Sequence, residues 1–333
     1  SNMSLASVPI ETLDAPKERA FVRPLVTRQL GHSHRLVLHP PTGSWAAVAN
    51  DDSPIVRALL EADRRGTLAG FDLPDEHPLL DTFYRAGLLL RNGKTARRTR
   101  PLHYGAEPLN TLILKLVGYC NLACTYCYDY DDERYALRLP RELAERAVSQ
   151  ALERCGPRLK ILFHGGEPLL AFDEIRSLVP FARRIAEDRQ KRVEFAVQTN
   201  GTRFTPEVVR FLLQEKIRVG ISLDGPPEEN DALRIDHRGS GRAREIEHAL
   251  RTYPELTRRL GVLTTVTSRN ARHLVRVARY VRDLGVARWD TTLLETEGRA
   301  SVGCEHLAPT AADVADSYEV LLDAVEAGEF DRL

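Results

Sequence analysis

The 333-residue chain lacks a net charge: Lys+Arg and Asp+Glu both count 47. No surplus of positive charge is available to meet a phosphate backbone, which argues against a nucleic-acid partner and against RNA modification. No apolar stretch approaches the roughly 18–20 residues needed to span a bilayer, so no membrane segment is expected. A secretory signal is also missing. Disorder is excluded from the other side: 43% of residues are hydrophobic and 28% charged, the balance of an ordinary globular chain. Cysteine is scarce, at five residues, and unevenly spread: Cys120, Cys124 and Cys127 fall within eight positions, with Cys155 and Cys304 apart. That distribution does not make a disulfide framework. It points to a reduced, cytoplasmic chain with a metal or redox site.

The length suggests about two domains, and the pattern along the chain divides accordingly. In the first part, Arg35–His39 and Ser44–Val48 read as a hairpin around the turn Pro40-Pro41-Thr42-Gly43. Asp51, Asp52 and Ser53 offer caps for a helix entered at Pro54. A second helix is expected from Glu76 to Ala86, ended by Gly87, with a short strand at Leu88–Leu90. This is a winged-helix-like α+β pattern, and Lys94–Gly105 reads as a linker, giving a first domain over residues 1–105. Acidic Asp51, Asp52, Asp72, Asp75 and Glu76 argue against DNA binding by this unit.

From residue 106 to 333 strands and helices alternate. Strands are expected at Thr111–Val117, Leu159–Phe163, Val193–Gln198, Val219–Leu223, Val262–Val266 and Trp289–Leu294. Helices are expected at Arg141–Arg154, Phe172–Asp188, Pro206–Glu215, Arg244–Tyr253, Arg272–Leu284 and Ala311–Ala327. Repeated βα units imply a parallel sheet with right-handed crossovers, either a partial barrel or a doubly wound layer. In both, the functional face lies at the C-terminal ends of the strands.

The segment Cys120-Asn121-Leu122-Ala123-Cys124-Thr125-Tyr126-Cys127 directly follows the first of these strands. Its C-x3-C-x2-C spacing lets three thiolates converge from one loop. Structural zinc takes four protein ligands, so a zinc site needs a distant fourth such as His164 or His103. An iron–sulfur cube is held by soft thiolates, and three of them leave one iron open. Cys155, late on a helix, reads as a buried structural thiol.

These residues resemble the radical S-adenosylmethionine (radical SAM) enzymes. The resemblance rests on the cysteine loop, on His164-Gly165-Gly166-Glu167-Pro168, on Gln198-Thr199-Asn200-Gly201, on Ile221-Ser222-Leu223-Asp224-Gly225 with Arg234 downstream, and on Leu294–Ala300, in order and each at an expected strand end. It covers about Leu109 to Leu333 and implies a partial (β/α)6 barrel. It implies that Cys120, Cys124 and Cys127 hold a [4Fe–4S] cluster whose open iron chelates S-adenosyl-L-methionine. One electron, from a donor such as flavodoxin or ferredoxin, then yields a 5′-deoxyadenosyl radical that abstracts hydrogen from an unactivated carbon. By the same resemblance Gly165, Gly166 and Glu167 receive the methionyl ammonium, and Ser222 and Asp224 meet the carboxylate and ribose ends. Asn200 meets the ribose, the Tyr126 backbone meets adenine, and Arg234 meets the carboxylate. Read for themselves, the same residues also suit plainer roles. The glycines and Pro168 make a tight turn, Ser222 and Asp224 a cap or Asx-turn before Pro226-Pro227, Asn200-Gly201 a turn, Tyr126 core packing and Arg234 a surface ion pair.

The N-terminal part resembles the leader-peptide recognition domains fused to peptide-modifying enzymes, which are similar to the small chaperone of pyrroloquinoline quinone biosynthesis. That implies a ribosomally made precursor peptide bound as an added strand, and a maturase forming a crosslink, thioether or epimer. Such SPASM-type members carry further cysteines for auxiliary clusters in a C-terminal extension. Only Cys304 lies beyond the fifth barrel strand here, so the expectation is a catalytic core of a longer enzyme. Two alternatives stand beside this reading: a sulfatase-type formylglycine maturase, and a zinc-stabilised winged-helix interaction module.

Overall fold

In a computed structural model, residues 19–22, 25–30, 32–49, 57, 78–96, 108–130, 133 and 135–330 are described. The chain forms two compact units, Ser1–Leu102 and His103–Leu333.

The first unit contains β1 (Arg19–Phe21), β2 (Val26–Leu30), β3 (His34–His39), β4 (Ser44–Ala49), α1 (Pro78–Ala86) and β5 (Leu89–Arg91). The expected hairpin is β3–β4, paired from His34↔Ala49 to His39↔Ser44. Its alternation buries Ser44, Ala46 and Val48 and leaves Trp45 exposed, as a sheet with one solvated face requires. The sheet has a third strand that the sequence reading missed: β2 pairs antiparallel with β3. Val-Thr-Arg-Gln-Leu carries too few apolar residues to signal a strand by itself. The order β2-β3-β4 leaves the outer sides of β2 and β4 without a strand partner among the described residues. The closing strand, expected at Leu88–Leu90, lies one residue later and pairs with β1. Phe21 and Phe83 meet edge-to-face at 5.9 Å in a small core with Val37, Val48, Leu80 and Leu88. Apart from Arg57, the helix expected after Asp51–Ser53 lies outside the described residues, as do the acidic residues 51–76, His103 and most of the linker.

The second unit alternates as expected. Its elements are β6 (Leu109–Lys115), α2 (Arg141–Arg154), β7 (Cys155–His164), α3 (Phe172–Asp188), β8 (Arg192–Thr199), α4 (Pro206–Gln214), β9 (Arg218–Ser222), α5 (Ala243–Thr252), β10 (Gly261–Val266), α6 (Leu274–Asp283), β11 (Arg288–Leu293) and α7 (Ala311–Glu326). All six strands are parallel and lie in the order β11-β10-β9-β8-β7-β6. Strand order follows chain order without reversal. A doubly wound sheet reverses at a switch point, so this one is wound in a single sense into a half-barrel.

The helices cover one face because their apolar residues recur at helical spacing. In α2 they are Ala144, Val148, Ala151 and Leu152; in α6, Leu274, Val277, Ala278 and Val281. They pack on strand positions that alternate with the barrel interior: Leu159, Ile161 and Phe163 of β7 are buried, and Phe163 stacks on Phe195 of β8 at 6.2 Å. Thr205 caps α4, accepting a hydrogen bond from the Val208 N–H, with Pro206 in the first turn. Cys155 is the cap of α2 and the first residue of β7, buried, its thiol donating to the Leu152 carbonyl at 3.5 Å. No helix of the described residues is long and apolar enough to cross a membrane.

Candidate active site

The interior faces of the strands lead up to a cleft of about 250 Å³ at their C-terminal ends. Ten of the eleven residues singled out from the sequence line it: Cys120, Cys124, Tyr126, Cys127, Gly165, Gly166, Glu167, Asn200, Ser222 and Arg234. Asp224 does not. It sits behind the wall, 2% exposed.

The cysteine loop has almost no secondary structure of its own, so it is held from outside. The Ala123 and Thr125 N–H groups donate to the Ile235 and Leu233 carbonyls at 2.7 and 3.0 Å. His237 and Tyr135 both reach the Cys120 carbonyl. From the other side, the Arg299 N–H donates to the Cys127 carbonyl at 2.9 Å, and its guanidinium reaches the Cys124 carbonyl while lying 3.6 Å over the Tyr130 ring. The brace at 230–242 depends on Asp236, whose carboxylate accepts from the Arg238 and Ser240 N–H groups and from Arg242. These bonds, led by that from Ser240, hold its carboxyl down at about 2. Sequence reasoning passed over Asp236, and it included Arg299 in the Leu294–Ala300 segment without giving it a role. The one signal for Asp236 is its place ahead of glycines 239 and 241, a loop signature.

Two buried carboxylates organise the rest. Glu167 accepts from the Leu169 N–H at 3.0 Å, the Thr199 hydroxyl at 2.6 Å and the Asn200 N–H at 2.8 Å. Burial raises its pKa, opposed by these three bonds. It thereby ties the end of β7 to the end of β8. Asp224 accepts from Arg234 Nε and Nη2 at 3.0 and 3.3 Å, from the Thr265 N–H at 3.0 Å and from the Tyr126 hydroxyl. Burial works against the Arg234 charge, but the Asp224 carboxylate outweighs it and raises the pKa, so the guanidinium stays protonated. Arg234 also lies over the Tyr126 ring at 5.3 Å. The ion pair that the sequence allowed at the surface is therefore a buried one, with Arg234 at the cleft wall and Asp224 behind it.

Gly165 and Gly166 both have positive φ, at +82° and +54°. A Cβ on Gly166 would stand 2.2 Å from the Tyr119 carbonyl oxygen. The turn runs so close to the cysteine loop that no side chain fits between them, and the Glu167 N–H donates to that same carbonyl at 3.0 Å.

Burial pushes the Cys120 thiol up to about 12, with Glu167 adding to the shift, and burial likewise raises Cys124. Both are protonated near neutrality until a metal replaces the proton. Among the described residues no three His, Cys, Asp or Glu side chains close around one ion position. The three thiols line one cleft, whereas structural zinc is closed by a fourth protein ligand. The donor set, all sulfur and all on one braced loop, fits an iron–sulfur cube.

Known proteins agree with this chemistry. The sequence pattern of the Radical SAM superfamily matches residues 114–289. The cysteine-type anaerobic sulfatase-maturating enzyme of Clostridium perfringens (strain 13 / Type A) is 31% identical over 182 residues, covering 53% of this chain and 49% of that protein. The chain thus spans about half the length of the curated relatives it matches. Native anSMEcpe, solved with bound AdoMet and Kp18Cys peptide, aligns with a TM-score of 0.60 at 25% identity over 68% of this chain and 63% of that one. Streptococcus suis SuiB, solved bound to precursor peptide SuiA, aligns with a TM-score of 0.52 at 15% identity over 93% of this chain and 71% of that one, a likeness of fold. A half-barrel with three thiols at its mouth and a family match over more than half its length make this chain a member of the radical SAM superfamily, enzymes that use a [4Fe–4S] cluster and S-adenosyl-L-methionine.

Proposed function

We propose that this chain is the radical-generating core of a maturase that acts on a ribosomally made peptide, with the N-terminal unit binding the precursor. Cys120, Cys124 and Cys127 would hold the cluster. When bound, the cluster and S-adenosyl-L-methionine supply one-electron cleavage of the sulfonium and hydrogen abstraction from an unactivated carbon. The chain's own residues position and shield. Gly165 and Gly166 bring backbone against the methionyl ammonium, and Glu167 fixes that turn through its three hydrogen bonds. Ser222 presents a hydroxyl to the cofactor. Arg234, its guanidinium held by Asp224, presents a fixed positive charge to the cofactor carboxylate. On this reading Asp224 acts through Arg234 and Tyr126, from behind the wall.

The observation that carries the peptide reading is the three-stranded sheet of the N-terminal unit, in which no further strand lies beyond β2 or β4 among the described residues. An extended peptide adds to such an edge through main-chain hydrogen bonds. The fold likeness to SuiB, which runs over both units, supports it. A second reading, formylglycine formation on a sulfatase peptide, is favoured by the 31% identity of the core to the Clostridium perfringens enzyme.

The test uses the full chain, reconstituted anaerobically with iron and sulfide, then given S-adenosyl-L-methionine, dithionite and candidate peptides, with mass spectrometry of each peptide. The candidates are short peptides encoded beside the gene and a cysteine-containing sulfatase peptide. A modified neighbour-encoded peptide, with loss of modification when its leader is removed, supports the first reading. Conversion of the sulfatase peptide alone replaces it with the second. Stoichiometric zinc with no sulfide uptake would sink both.

A further inference from the structure

Asn200 sits in a closed ring of hydrogen bonds whose polarity is fixed by one obligate donor. The Thr202 backbone N–H lies 3.0 Å from one end of the Asn200 amide, and an N–H can only donate, so that end is Oδ1. The Thr202 hydroxyl donates to the same Oδ1 at 2.7 Å and accepts from Asn121 Nδ2 at 2.8 Å. The Asn121 Oδ1 in turn accepts from Asn200 Nδ2 at 2.9 Å. Every group in the ring has a settled direction. The second proton of Asn200 Nδ2 is left facing Cys120 Sγ, at 3.5 Å. A backbone donor, the Leu122 N–H, approaches the same sulfur at 3.3 Å. Asn200 is 7% exposed, so water competes little for this amide. Among the described residues no hydrogen bond reaches Cys127 Sγ.

We infer that Asn200 is a donor to the sulfur of Cys120 that raises the reduction potential of the cluster this cysteine holds. A positive hydrogen-bond end at a ligand sulfur favours the reduced, more negative state, and such bonds are among the protein's main means of setting Fe–S potentials. The amide also braces the cysteine loop through Asn121, so the tuning role has to be separated from the bracing one. The inference depends on the cluster and not on the identity of the substrate.

The experiment is an EPR-monitored potentiometric titration of the reconstituted full chain. Asn200→Ala is expected to disfavour reduction about tenfold, a potential lower by ~59 mV for a one-electron couple. Asn200→Asp, which turns an oxygen toward the sulfur, is expected to lower it at least as far. Asn121→Ala removes the brace and leaves the sulfur's donor in place, so it should lower the melting temperature and leave the potential where it was. An unmoved potential in Asn200→Ala, or an equal shift in Asn121→Ala, overturns the inference. Should Asn200→Ala fail to hold a cluster, wild-type protein labelled with 15N in asparagine side-chain amides decides the matter. A 15N coupling to the reduced cluster in pulsed EPR supports the bond, and its absence refutes it.

Discussion

Substituting Gly166 by alanine tests the claim that the turn after β7 and the cysteine loop are packed backbone on backbone. Two costs add. At φ +54° a side chain meets the left-handed penalty, about 1–2 kcal/mol. The new Cβ would also stand 2.2 Å from the Tyr119 carbonyl oxygen and 2.8 Å from that of Val117. Neither is the end of a flexible side chain, so the two loops must part. That strains or breaks the 3.0 Å bond from the Glu167 N–H to Tyr119, at about 1–2 kcal/mol. The expected loss is roughly 2–4 kcal/mol, a large fraction of the stability of an ordinary domain. Gly239→Ala is the internal control: its φ is +80°, but nothing lies within 4 Å of the added Cβ, so only the backbone penalty applies. Urea unfolding of the metal-free chain, compared at equal m, measures both. Iron uptake on reconstitution should fall only in Gly166→Ala. If the two variants lose the same stability, the close approach is not a constraint and the reasoning fails.

Asp236→Asn should destabilise the brace of the cysteine loop at neutral pH. An unfolded aspartate titrates near 3.9 and Asp236 near 2 when folded. Its contribution is therefore complete above about pH 4 and disappears as pH falls toward 2. The gap between wild type and variant in urea melts should close over that window, and a gap independent of pH would contradict the assignment. Thr199→Val removes the 2.6 Å bond to buried Glu167 and should cost about 1–3 kcal/mol without changing m. Phe163→Ala empties a fully buried site stacked on Phe195 and should cost about 3–5 kcal/mol, read from the same melts. Arg299→Ala should leave the barrel's melting unchanged while slowing cluster reconstitution, because its guanidinium falls on the Cys124 carbonyl and the Tyr130 ring rather than on the core.

The half-barrel was legible in the sequence because its elements obey short-range rules. Helices α2 and α3 begin and end where their apolar spacing does, and the β-strands fall within a few residues of the runs that predicted them. The cysteine triplet and the glycines before Glu167 were legible because each motif is contiguous. Strand β2 was not, since its pairing with β3 comes from a partner rather than from its own alternation.

What the sequence determined, then, is which residues carry the chemistry: three thiols on one loop, a glycine turn, and polar groups at successive strand ends. Only the tertiary structure decided what several of those polar groups do. Asp224 and Arg234 are ten residues apart, yet the fold joins them into one buried ion pair with Arg234 at the cleft wall. Glu167 is spent on β8, and Asn200 is turned toward a sulfur eighty positions earlier. A side chain's residue type fixes what it can bond, but its partner is chosen by winding six strands in a single sense, which brings distant loops to one rim.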